Sequence, residues 1–121
     1  MAAIAFVELL APVRLGAHHS TAPYDLIHGT IITGVVTRFD MLNPHGIIAL
    51  DVSGEDAAVE HWTVAVDSPL ALRRLGWSKD TLKAGDKITV IGNRAKDGSF
   101  DLRGIEVQLA DGRKLMALSG T

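Results

Sequence analysis

The sequence predicts an all-β fold with one short helix, closed into a small barrel of five or six strands. Three observations carry this. Stretches rich in β-branched residues alternate with a period of two, turn formers separate them at short intervals, and a single Ser-Pro…Gly segment interrupts them with helical spacing. A chain of 121 residues is one domain's length and buries about two-thirds of its unfolded surface without needing disulfides or metal.

The first strand runs from Thr30 to Phe39, where Ile31, Thr33, Val35 and Thr37 alternate with Ile32, Gly34, Val36 and Arg38. Both faces are apolar, and Gly34 in the middle predicts a bulge or sharp bend that lets one strand serve two sides of a barrel. Asp40 to Gly46 (DMLNPHG) is a turn initiated by Asn-Pro. Ile47 to Val52 and Val59 to Val66 follow as the second and third strands, joined through Ser53-Gly54-Glu55-Asp56 as antiparallel neighbours.

Ser68 then reads as an N-cap with Pro69 in the first helical position; Leu70, Leu72 and Leu75 form an apolar stripe, and Gly76 stops the helix. Lys83-Ala84-Gly85-Asp86 turns into a fourth strand, Lys87 to Gly92. Lys96-Asp97-Gly98-Ser99 turns into a fifth, Asp101 to Leu109, and Asp111-Gly112 precedes a last stretch, Arg113 to Leu118.

Three strands, a helix, then two or three strands is the order of the OB-fold, so the predicted architecture is a small OB-like barrel spanning 30–118. Its inward positions are expected to be Ile31, Val35, Ile48, Leu50, Trp62, Val64, Ile88, Val90, Ile105 and Val107. Its ligand-facing loops are expected at Asp40 to His45 and Asn93 to Phe100. Residues 18–29 form an extended lead-in.

Residues 1–17 (MAAIAFVELLAPVRLGA) have the apolar length of an export signal and end on the small pair Gly16-Ala17. Against that, the segment has no basic residue before its apolar run, and Glu8 interrupts it. The alternative is an amphipathic first helix that packs on the domain and breaks at Pro12.

A set of short motifs recurs in order from His18 to Leu115. They are His18-His19-Ser20, Asn43-Pro44-His45, Ser68-Pro69 with Arg73 leading to Gly76-Trp77, Leu82-Lys83 with Gly85-Asp86, Lys96-Asp97-Gly98 and Asp111-Gly112-Arg113. Together they resemble a family of small exported bacterial proteins classed as a domain of unknown function. The resemblance implies export to the periplasm or beyond, with a mature chain starting at or near the His-His pair. It carries no catalytic residue.

Net charge narrows the partners. With Lys+Arg 12 against Asp+Glu 14, the chain lacks the cationic surplus that phosphate binding requires, so nucleic acid is excluded as an expected partner. No apolar run approaches the roughly 20 residues of a membrane span. The absence of cysteine leaves histidine and carboxylates as the strong metal ligands.

The one constellation with metal chemistry is histidine. Cleavage after Ala17 would make His18 the first residue, and its terminal amine and Nδ1 would chelate one ion, with His45 or His19 as a further donor. Such nitrogen-rich tetragonal donors suit Cu(II), and binding would strengthen with pH as the amine loses its proton. The competing reading makes His18 and His19 a polar terminus and His45 a turn residue bonded to backbone. His28 and His61 read as a strand-opening residue and a solvated strand residue.

Carboxylates and serines are present, but no acid/base pair, nucleophile elbow, P-loop or GxGxxG brackets them, so no enzyme is predicted. Trp62 is expected in the core, and Trp77 is expected to pack the helix end on the barrel. The sequence therefore predicts a binding module of unknown ligand, with copper as one expectation and a metal-independent protein or glycan partner as the other.

Overall fold

The computed structural model describes residues 23–119. The segment read as a leader, His18 and His19 lie outside the described residues.

Six strands form one sheet: β1 (Tyr24–Asp40), β2 (Ile47–Ser53), β3 (Val59–Ala65), β4 (Lys87–Ala95), β5 (Asp101–Leu109) and β6 (Lys114–Met116). Helix α1 (Pro69–Arg74) lies between β3 and β4. The sheet order is β3-β2-β1-β4-β5-β6, and a parallel pairing of β3 with β5 closes the first five strands into a barrel. This is the OB-like arrangement expected from the element order, with β6 as an extra strand on β5.

β1 makes closure possible by changing partners. It pairs with β4 up to Val35↔Lys87 and with β2 from Val35↔Asp51 onward. Gly34 stands at this crossing. Its Cα packs so tightly on β2 that a Cβ would run into the Asp51 carbonyl oxygen, so glycine permits the close approach rather than a bulge. The bulge falls between Val36 and Arg38.

The same crossing corrects the inward face of β1. Ile32, Gly34 and Val36 are buried, while Ile31 is 67% exposed and Val35 is 41% exposed. Alternation alone could not choose between two equally apolar faces. The side lacking a Cβ where β1 packs tightly on β2 is the one that fits inside. Ile105 also misses the core, because the register steps from Ile91↔Glu106 to Gly92↔Gly104 and leaves Ile105 as the extra residue. The inward positions on β5 are Leu102, Gly104 and Val107.

The core comprises Ile32, Val36, Ile48, Leu50, Trp62, Val64, Val66, Ile88, Val90, Leu102 and Val107, closed at one end by Leu72, Trp77, Leu82 and Ala117. Each large apolar side chain buried here contributes roughly 1.5–3 kcal/mol. Ser68 Oγ caps α1 by accepting from Ala71 N at 3.2 Å, and Gly76 at φ 98° ends it. Leu72 anchors the helix, whereas Leu70 of the expected stripe is exposed. Trp77 packs on Phe39, with ring centroids 5.5 Å apart, and its Nε1 donates to the Met116 carbonyl at 2.9 Å. Among the described residues no helix is long and apolar enough to cross a membrane.

Candidate binding surface

The two loops expected to face a ligand border β3 on opposite sides. Thr63 N donates to the Phe100 carbonyl at 3.0 Å, and Val66 N donates to the Gly46 carbonyl at 2.9 Å. Turn 96–100 is the better built of the two. Gly98, at φ 82°, completes it, Gly98 N donates to the Ala95 carbonyl, and Ser99 N donates to Asp97 Oδ1 at 2.9 Å. The bond from Ser99 holds the Asp97 carboxyl below its usual range.

Arg94, on the last part of β4, locks that turn in place. Its Nε donates to the Ser99 carbonyl at 2.9 Å and its Nη2 to the Gly98 carbonyl. The same guanidinium lies 4.9 Å from the centroid of the Trp62 ring and 5.5 Å from that of Phe100. Trp62 is buried and its Nε1 donates to Glu60 Oε1 at 3.0 Å; Phe100, with its ring 5.3 Å from Trp62, is 42% exposed. The result is an aromatic side chain at the surface on a backbone that is already ordered. The expected loop Asn93 to Phe100 includes Arg94, but β4 continues through Ala95, and nothing local in the sequence shows that Arg94 reaches a tryptophan on β3.

The other loop, 41–46, contains the cis Asn43-Pro44 bond and exposes Leu42 and His45. The His45 ring makes no hydrogen bond among the described residues. Its charged neighbour is Asp67, and that carboxylate is occupied: Oδ1 accepts from Ser68 N, and Oδ2 accepts from Ser119 N and Oγ. Burial pushes Asp67 up, but the Ser119 and Ser68 bonds and the nearby His45 outweigh it and leave the carboxyl below its usual range. Among the described residues no three His, Cys, Asp or Glu side chains converge as a metal cluster.

The other two histidines among the described residues, His61 and His28, each bond one carboxylate. His61 pairs with Asp51 directly across β2 and β3, Nδ1 to Oδ1 2.7 Å, on the exposed outer face. Asp51 is its one hydrogen-bond partner among the described residues. His28 Nδ1 meets Asp25 Oδ2 at 2.9 Å. The Asp25 carboxylate also accepts from the Ile27 and His28 amides, and the His28 bond leads in holding it below its usual range. These bonds stabilise a bulge in β1: Tyr24 pairs with Ala95 and Gly29 with Asn93, so residues 25–28 swing out and leave Ile27 85% exposed.

At the foot of that bulge Tyr24 Oη donates to Asp101 Oδ1 at 3.2 Å. Burial, then the charge of Asp101, pushes the phenol up to about 12, and burial raises the Asp101 carboxyl despite the bond it receives. A shallow groove lies elsewhere, between Thr81, Asp86 and Lys87 on one side and Leu109, Asp111 and Arg113 on the other. Its charges balance, and Arg113 Nε is already bonded to Asp111 at 2.9 Å.

Residues 9–104 match the family of unknown function DUF6152. The chain belongs to that family. The DUF6152 match takes in β1 to β4, α1, the Arg94 cluster and both loops, and it ends at Gly104 within β5, before β6. No curated protein matches the chain in sequence.

Proposed function

We propose that this DUF6152 protein is an exported binding module of the bacterial envelope that holds a protein or glycan at turn 96–100. The observation that carries the reading is the Arg94 clamp. Arg94 fixes the carbonyls of Gly98 and Ser99 and stacks beside Phe100, so an exposed aromatic is presented without the ordering entropy a loose loop would lose on binding. Export is supported by the apolar, small-residue-terminated segment 1–17.

The test is site-specific photo-crosslinking in bacterial envelope preparations, with the reactive group placed at Phe100 or, as a control, at exposed Lys79. A discrete adduct from position 100 that disappears on Arg94→Ala supports the reading. Identical diffuse patterns from both positions refute it.

A second reading, Cu(II) held by the amine and ring of His18 with His45 or His19, is favoured by one feature: the exposed His45 ring has no hydrogen-bond partner among the described residues. Its test is a calorimetric Cu(II) titration at neutral pH of protein whose N-terminus has been established by mass spectrometry. Uptake lost on His18→Ala supports it; no uptake sinks it.

A further inference from the structure

Among the described residues, the crossing at Val35 leaves part of β1 with one neighbour. Val36 N donates to the Asp86 carbonyl at 2.8 Å, and the Val36 carbonyl accepts from Gly85 N at 2.8 Å, so both its backbone groups face the β4 side. In an antiparallel ladder this facing alternates, which turns the N–H and C=O of Gly29, Ile31 and Thr33 away from β4. β2 would have to meet them there, but its pairing with β1 begins only at Val35↔Asp51. Among the described residues nothing pairs with this edge.

Exposed edges in native proteins are normally blunted with charge or proline. From Gly29 to Thr37 the strand reads GTIITGVVT, with neither. Ile31 stands out from the edge 67% exposed, between Ile27 at 85% and Val35 at 41%.

We propose that this edge pairs with the same edge of a second copy, β1 against β1, antiparallel about a two-fold axis at Ile31. Such an arrangement sets Ile31 beside Ile31 and Gly29 opposite the partner copy's Thr33, and it completes up to about six backbone hydrogen bonds. It brings the exposed apolar region around Ile27 of each copy toward Val35 of the other. A two-fold axis always places a segment against itself, so a charged strand would oppose like charges. An uncharged one does not, and this is why a second copy fits here better than a partner recognised by charge. The pairing does not use turn 96–100 and stands apart from the function proposed above.

The experiment is light scattering on the full chain across a concentration series, combined with amide hydrogen exchange. The expected result is a species of twice the chain mass at high concentration, with Ile31 and Thr33 amides protected there and exchanging freely on dilution. Ile31→Lys is expected to be monomeric with an unchanged circular dichroism spectrum. A chain that stays monomeric with both amides unprotected overturns the proposal, as does a dimer in which they exchange freely. Protection that persists in the monomer also overturns it, because the edge is then covered by the chain's own residues. The exchange measurement on the unmodified chain decides the matter even if Ile31→Lys does not fold.

Discussion

Arg94 and Trp62, on strands that are not neighbours in the sheet, stack with the guanidinium 4.9 Å from the indole centroid. Through this contact the barrel interior and the surface turn at Gly98 and Ser99 become one structural unit. Arg94→Ala removes the cation–π contacts with Trp62 and Phe100 and two charge-assisted bonds to loop carbonyls together, and is expected to destabilise the fold by roughly 1–3 kcal/mol. Arg94→Lys should recover only a small part, because an ammonium cannot supply the planar fork. Urea denaturation measures the loss, and amide exchange should rise mainly in residues 96–100; protection there that is unchanged in Arg94→Ala would contradict the clamp.

Two glycines of β1 should respond in opposite ways to alanine. At Gly34 the new Cβ meets the Asp51 backbone, which cannot move without parting β1 from β2, so Gly34→Ala is expected to cost about 3 kcal/mol or more. At Gly29 a Cβ meets nothing within 4 Å, and Gly29→Ala should stay within about 0.5 kcal/mol or stabilise slightly. Thermal melts of the two variants give the comparison.

Alkaline pH should weaken the fold through Tyr24. Its folded pKa of about 12 lies above the ordinary 10.0, so the native state retains a proton that the unfolded chain releases. The contribution is complete below pH 10 and is lost as pH rises toward 12. In Tyr24→Phe that part of the alkaline slope should disappear; a slope unchanged between pH 10 and 12 would show that Tyr24 is not its source.

Asp67 acts in the other direction. Its carboxyl is held below the usual range, so its contribution is present above the unfolded value and is lost as pH falls through the folded one. Asp67→Asn should flatten stability against pH in the acid range. Ser119→Ala, which removes the Oγ bond but leaves the backbone one, should cost about 1 kcal/mol in urea at neutral pH.

Much of the barrel was legible because its signals are local. Ser68 and Pro69 start α1, Gly76 ends it, and the Asp97-Gly98 and Asp111-Gly112 pairs fall in turns. β2, β3 and β5 also lie within a residue of where their alternation put them. The inner face of β1 was not legible. Ile31 and Ile32 are equally apolar, and the choice between them depends on how closely β2 approaches Gly34. The bulge at residues 25–28 was hidden for a similar reason: Asp25 and His28 look like an irregular lead-in until the register against β4 shows that the strand resumes on its far side. Of the candidate site, sequence located both loops and the exposed His45, but not the contact that orders one of them.

By itself the sequence determined the element order, the turns and the cap, since these follow from backbone preferences and side-chain bonds within a few residues. It also limited the strong metal ligands to histidine and carboxylates. Only the tertiary structure decided which face of β1 lies inside, that Arg94 clamps turn 96–100 against Trp62, and that among the described residues Gly29 to Thr33 is left as an uncharged open edge. Each of these depends on strands distant in sequence meeting at a particular register, and a period of two is the same whichever neighbour a strand meets.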